Sequence, residues 1–254
     1  MSERFIDPVA MQARSLAVIE LLKDTAENRL RTYPADIEAV LVFSGPGTYF
    51  DRLKPEEPEW MRWMDRDRIR AGVAVVREIT ATKLFQHTNW PLRSFQLTRE
   101  DLLTDGPLFI YNGIEQENEI FSRALESPSC LLAKEKVILL SSVIDNNGDP
   151  RSINHTGDQV LSLYQARLNP NSLLYGISTV ALVAHIPDYV RILNYTKYYD
   201  EQSIQRGYPS LHFHCYGLRS RPGTEEPHIA SELPRLVQYA RQDHLATNQS
   251  PFSV

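Results

Sequence analysis

The sequence predicts an α/β protein built on a doubly wound, mostly parallel sheet. Short runs rich in valine, isoleucine and leucine recur along the chain, and a helical pattern follows each of them. A chain of 254 residues with 42% hydrophobic content can also form a core for one large domain, alone or with a smaller lobe. We therefore expect strands that helices cover on both faces of the sheet.

The elements follow from hydrophobic periodicity and from cap signals. Asp7 can cap a first helix over 8–22, with Pro8 at the first helical position. The predicted strands are 39–44, 108–111, 137–141, 178–184 and 211–216, and the predicted helices between and after them are 66–82, 115–125, 156–168, 187–198 and 230–239.

Three regions follow from this alternation. Residues 1–35 form an N-terminal helical segment, 36–216 the main α/β domain, and 217–254 a C-terminal tail with one helix, forming a small appended lobe without chemistry of its own. An insertion at 51–63, rich in proline and tryptophan, follows the first strand, where lids are common. Trp60 and Trp63 could close over a ligand, and a packed surface excursion is the alternative.

Composition excludes several classes of partner. The net charge is −5, with basic and acidic residues mixed along the chain, so we expect no nucleic-acid partner. The best candidate for an anchor, the apolar run at 15–22, is too short to span a bilayer, so we expect no membrane partner. Cys130 and Cys215 are the only cysteines, and a reducing compartment is the default.

Small and hydrogen-bonding residues stand where the predicted strands end. Ligands of open parallel sheets bind beyond the carboxyl ends of the strands, and glycines there let backbone N–H groups approach a phosphate or carboxylate. Four such loops could converge on one crevice, although each alone is typical of an ordinary turn. The loop sequences are SGPG (Ser44, Gly45, Pro46, Gly47), YNGIEQEN (with Asn112, Gly113 and Asn118), INHTGDQ (with Thr156 and Gln159) and HIPDYVR (with His185, Asp188 and Arg191).

Taken together with Arg68 in RIRAG, these motifs resemble the ElyC/SanA/YdcF family, over about residues 36–216. The resemblance implies a Rossmann-like domain, and its cytoplasmic, YdcF-like branch implies binding of S-adenosylmethionine. Because the chain shows no anchor, it resembles that branch, and we expect a cytoplasmic protein. The family's usual histidine three residues before the late arginine is Asp188 here, and His185 is the candidate substitute.

Three functions remain open at this stage. The first is binding of a small anionic or nucleotide-like ligand, with Arg191 as the main anion contact; an i, i+3 salt bridge to Asp188 is the alternative role for that arginine. The second is a transferase or hydrolase acting on a phosphate- or carboxylate-bearing small molecule, with His185 and Asp188 as acid and base. The third is a protein-interaction module. We expect no metal, since His212 and His214 are better explained as structural residues.

Overall fold

A computed structural model describes residues 8–27, 32–45, 63–88, 94–127, 130–145 and 147–241. The chain divides into two compact units. The sheet unit comprises residues 32–183 and 211–216, and the helical unit comprises 1–31, 184–210 and 217–254.

The main sheet has five strands: β1 Ala39–Phe43, β2 Leu108–Asn112, β3 Val137–Leu140, β6 Thr179–His185 and β7 His212–Leu218. A separate antiparallel hairpin comprises β4 Ser142–Ile144 and β5 Pro150–Ser152. The order of the main sheet is β3-β2-β1-β6-β7, and β1 pairs in parallel with both β2 and β6, as β2 does with β3. The direction of winding reverses at β1, which is the doubly wound pattern of Rossmann-like folds.

Every residue of β1 and β6 is buried, as expected for central strands covered on both faces. α2 packs on β1 and β2, and α5 packs on β4. The helices of the sheet unit are α2 Met64–Thr88, α3 Arg99–Thr104, α4 Glu115–Leu125 and α5 Thr156–Leu168.

The helical unit contains α1 Pro8–Glu27, α6 Tyr189–Gln205 and α7 Glu225–Arg241. A single 3-10 turn, Ile186–Asp188, follows β6 and leads directly into α6. α1 packs against α6, α7 and this turn, and α7 packs against the turn as well. Among the described residues, no helix is long and apolar enough to cross a membrane.

The predicted α/β class with a doubly wound parallel sheet is confirmed. The predictions for α4 and α5 coincide with the observed bounds, whereas α3 and the β4–β5 hairpin were not predicted. Pro187, predicted to occupy the first position of a helix, lies in the 3-10 turn, and the α-helix begins at Tyr189. The C-terminal helix begins at Glu225, five residues before its predicted start.

Candidate functional site

Three predicted residues meet at the carboxyl ends of β1 and β2. Ser44 follows β1 directly, Asn112 is the last residue of β2, and Gln159 lies in the first turn of α5. The Gln159 amide Nε2 donates to Ser44 Oγ at 2.8 Å and to the Asn112 carbonyl at 2.9 Å. The Ser44 hydroxyl donates to the same carbonyl at 2.6 Å, and Asn112 Nδ2 donates to the Gln159 carbonyl at 2.8 Å. These bonds, which we call the strand-end network, join three of the loops that were predicted to converge.

The network satisfies backbone carbonyls that a parallel sheet leaves without a partner at its carboxyl edge. Gln159 Nε2 also lies 3.1 Å from the Ser44 carbonyl, and Asn118 Nδ2 donates to the carbonyl of Leu140, the last residue of β3, at 3.2 Å. Predicted site residues thus fix the ends of three neighbouring strands, and they make this edge of the sheet pre-organised.

Two buried acceptors at this edge have no donor among the residues that the structure describes. Asn112 and Asn118 have exposed fractions of 0% and 7%, and their side-chain oxygens have no hydrogen-bond donor in the described part of the chain. The amide orientation is set in each case, because the Nδ2 group faces a carbonyl that can only accept. A buried acceptor without a donor costs about 1–3 kcal/mol, which a bound N–H or O–H group would recover.

Arg68 lies against the backbone of the first glycine turn. Its side chain is buried, and Nη1 lies 3.4 Å from the carbonyl of Phe43, the last residue of β1. A Cβ atom at Gly45 would lie only 2.1 Å from that Nη1. A methyl group at this position would therefore force the Arg68 guanidinium to move, and the glycine accommodates its close approach.

The second glycine turn also lies against a charged side chain, which here is the carboxylate of Glu117. A Cβ atom at Gly113 would lie 2.6 Å from Glu117 Oε2, and the same oxygen accepts from the Ile114 N–H at 3.2 Å. Beneath it, the Tyr111 hydroxyl donates to the buried carboxylate of Asp65 at 3.0 Å. Burial and the neighbouring Asp65 charge raise the pKa of Tyr111 well above its usual value, so Tyr111 stays a neutral donor.

α5 begins beside the network. His155 is its N-cap residue, Thr156 is its first helical residue and is buried, and Asp158 lies in its first turn. Asp158 Oδ2 accepts from Arg151 Nη1 at 2.8 Å and from the Asn154 N–H at 2.9 Å. Burial alone would raise the pKa of Asp158, but these bonds and the nearby positive charges lower it below its usual value. The carboxylate therefore anchors the loop that leads into α5.

The helical unit holds the other predicted residues. His185 and Asp188 are buried, and the side chain of Arg191 is 11% exposed. Arg191 Nη2 lies 3.5 Å from Asp188 Oδ1, so the alternative i, i+3 pair is present, and Arg191 Nε lies 3.2 Å from Glu232 Oε2. Two carboxylates thus surround the arginine that was expected to bind an anion. An anion contact by Arg191 stays a prediction.

Two residues of α7, His228 and Glu232, lie beside Asp188 and Arg191 and were not predicted. His228 Nε2 lies 3.0 Å from Asp188 Oδ1, and Glu232 also pairs with Arg235 at 2.8 Å. The tail thus contributes side chains to contacts with the predicted residues, and whether it has chemistry of its own stays untested. The four-residue spacing of His228 and Glu232 places both on one face of a helix, and this spacing was the available signal.

The same cluster is a candidate cation site by ligand type. Asp188, His228 and Glu232 are all buried and offer ligand atoms that lie within 4.8 Å of one another. However, the carboxylates are already paired with Arg191 and Arg235. A divalent cation would have to displace two guanidinium groups, and the absence of a metal stays a prediction.

Some predicted features lie outside the described residues, namely Pro46, Gly47 and the insertion up to residue 62. Trp63 is described, and the guanidinium of Arg66 lies 5.5 Å from the centre of its ring.

A cavity of about 570 Å³ lies elsewhere in the sheet unit, and none of the described ligand residues of the prediction lines it. Its lining includes Ile69, Val73, Phe121 and Leu132, with Arg70 and Arg123.

Comparison with known proteins adds no assignment. The chain matches no protein-family profile, no curated protein and no solved structure.

Proposed function

We propose that this protein binds a small anionic or nucleotide-like ligand at the carboxyl ends of β1, β2 and β3, with S-adenosylmethionine as the first candidate. The observation that carries the proposal is the strand-end network together with the two buried acceptors of Asn112 and Asn118. The family resemblance supports the choice of S-adenosylmethionine as the first compound to test.

The chemistry of the edge favours a ligand with both donors and negative charge. Amide oxygens require N–H or O–H groups, which an amino group, an ammonium or a ribose hydroxyl supplies. α4 and α5 both begin at this edge, and the positive ends of their dipoles favour a carboxylate or phosphate. S-adenosylmethionine, nucleotides and similar molecules carry both kinds of group.

The burial of the two acceptors has a consequence for binding. Both oxygens are shielded from solvent, so a ligand reaches them only after a local opening of the surrounding loops. We expect the association rate constant to lie below the diffusion limit. We also expect bound ligand to slow hydrogen exchange of the backbone amides in the loops at 112–118 and 154–159.

The test is isothermal titration calorimetry with S-adenosylmethionine, adenine nucleotides and inorganic phosphate. We expect one saturable site, with affinity weakened about tenfold or more by Asn118→Ala, because the variant removes one acceptor. Asn171→Ala, at an exposed asparagine, is the matched control and should bind as the wild type does. Val73→Trp fills the 570 Å³ cavity, which lies away from the strand-end network, and should also leave binding unchanged.

The proposal fails if none of these compounds binds at millimolar concentration. It also fails if Val73→Trp abolishes binding while Asn118→Ala has no effect, since the ligand would then occupy the cavity that Val73 lines.

A further inference from the structure

A chain of hydrogen bonds in the helical unit joins a hydroxyl, an imidazole and a carboxylate. Ser220 Oγ lies 3.0 Å from His228 Nδ1, and His228 Nε2 lies 3.0 Å from Asp188 Oδ1. Ser220 stands two residues after β7, Asp188 three residues after β6, and His228 in the first turn of α7. We call Ser220, His228 and Asp188 the relay.

The relay fixes the direction of its hydrogen bonds. An ionised carboxylate only accepts, so His228 must carry its proton on Nε2. In the neutral imidazole Nδ1 is then the acceptor, and the Ser220 hydroxyl donates to it. This is the polarity that a general base and a nucleophilic hydroxyl require.

The three residues of the relay differ in their exposure to solvent. His228 and Asp188 are 2% and 4% exposed, whereas Ser220 is half-exposed. Only the hydroxyl end of the relay therefore meets solvent. Arg191 Nη2 lies 3.5 Å from the same Asp188 oxygen, so the buried carboxylate also has a cationic neighbour.

Local packing holds the two strand ends close together. A Cβ atom at Gly217 would lie 2.8 Å from Ile186 Cγ1. The last part of β7 can approach the 3-10 turn closely because residue 217 has no side chain. We infer that this close approach helps to place Ser220 within hydrogen-bonding distance of His228.

We propose that Ser220 is a nucleophile for acyl transfer, with His228 as its general base and Asp188 as a positioning residue. The substrate class is an ester or thioester, whose carbonyl carbon a serine hydroxyl attacks. This activity is independent of the ligand site of the sheet unit, and it uses neither His185 nor a metal.

The reaction balances with water as the only co-reactant and needs no oxidant or reductant. Ser220 Oγ attacks the carbonyl carbon while its proton passes to His228 Nδ1, and the bond to the leaving oxygen or sulfur breaks as that atom takes the proton. Water then attacks the acyl-enzyme with the same base, releasing the acid and restoring the Ser220 hydroxyl.

A fluorophosphonate probe tests the nucleophile on the full-length protein. The probe forms an Oγ–P bond and releases fluoride, and mass spectrometry locates the adduct. We expect the adduct at Ser220 in the folded protein, its loss in Ser220→Ala, and labelling slowed at least about 100-fold in urea or in His228→Gln. Ser231→Ala is the matched control, because the Ser231 hydroxyl bonds the His228 carbonyl and not its ring, and it should label as the wild type does.

The positioning role of Asp188 has a separate signature. Imidazole ¹⁵N chemical shifts report which ring nitrogen bears the proton, and the wild type should show His228 protonated on Nε2. In Asp188→Asn the Nε2–H tautomer should lose its preference, with slower probe labelling and Ser220 intact.

Several results would overturn the proposal: no adduct at Ser220 under conditions that label a known serine hydrolase, equal labelling in urea, or a His228 proton on Nδ1 in the wild type. If Ser220→Ala only lowers the melting temperature of a protein that never labels, the relay is a structural link between the β7 end and α7. Probe labelling reports on the relay and calorimetric titration reports on the ligand site, so this proposal and the ligand site fail separately.

Discussion

Gly45 shows how one residue sets the geometry of the strand end. Its missing Cβ leaves room for the Arg68 guanidinium, which reaches the Phe43 carbonyl through this space. A flexible arginine could ordinarily swing away from an added methyl group, but Arg68 is only 3% exposed and is packed in place. Gly45 thus accommodates a protein side chain, and we expect this role to be independent of any ligand.

Gly45→Ala should therefore lower the free energy of unfolding by about 1–3 kcal/mol, because the new methyl group overlaps Arg68. The cost should fall in an Arg68→Ala background, giving a coupling energy of at least about 0.5 kcal/mol in a double-mutant cycle by urea denaturation. Additive effects of the two substitutions would show that Arg68 does not occupy the space at Gly45.

Asp158 makes stability depend on pH in a defined direction. The pKa of Asp158 is lowered in the folded protein, so its contribution to stability is present above the unfolded pKa of about 3.9 and is lost as pH falls through the folded value. Asp158→Asn should cost about 1–3 kcal/mol at pH 7, and its difference from the wild type should shrink below about pH 4.

Urea denaturation between pH 3 and pH 7 measures that difference, with Asp149→Asn at an exposed position as the control. A difference between wild type and Asp158→Asn that stays constant over this range would contradict the assigned pairing with Arg151.

At the scale of elements, the distance of α2 from the sheet depends on Gly72. A Cβ atom there would lie 2.3 Å from Val42 Cγ2 and 3.0 Å from Phe109 Cε2, on β1 and β2. Alanine favours a helix over glycine by about 1 kcal/mol, but the overlap occurs inside a packed core. For Gly72→Ala we therefore expect the steric cost of the added methyl group to exceed the gain in helix propensity.

We expect Gly72→Ala to lower the free energy of unfolding by about 1–3 kcal/mol, and Val42→Ala to recover part of that loss by making space. Calorimetric melting of the single and double variants measures both effects. A Gly72→Ala protein that melts at or above the wild-type temperature would show that α2 stands further from β1.

The elements with strong local signals were predicted well. α4 and α5 each keep one helical pattern throughout, and their bounds coincide with the prediction. α3 has only six residues, and its start depends on the capping box of Thr98 and Asp101. The β4 and β5 strands have three residues each, which is too short for an alternating pattern to stand out.

On the scale of the whole molecule, residues far apart in sequence form both proposed sites. The predicted meeting of Ser44, Asn112 and Gln159 follows from the carboxyl ends of parallel strands, which lie at one edge whatever their separation along the chain, and hydrogen bonds join the three residues. Their role in ligand binding stays a prediction. No comparable rule places Ser220 and His228 beside Asp188. Their meeting depends on the packing of α7 against the turn after β6, which only the folded chain reveals.

The central claim is that the strand-end network belongs to a ligand site, and nuclear magnetic resonance of ¹⁵N-labelled protein tests it most directly. On titration with S-adenosylmethionine or an adenine nucleotide, we predict saturable shifts of the Asn112 and Asn118 side-chain amides and of the backbone amides at 44–45 and 156–159. The Asn171 side chain should stay unchanged. Saturable shifts confined to residues away from this edge, or no shift at all at millimolar concentration, would contradict the claim.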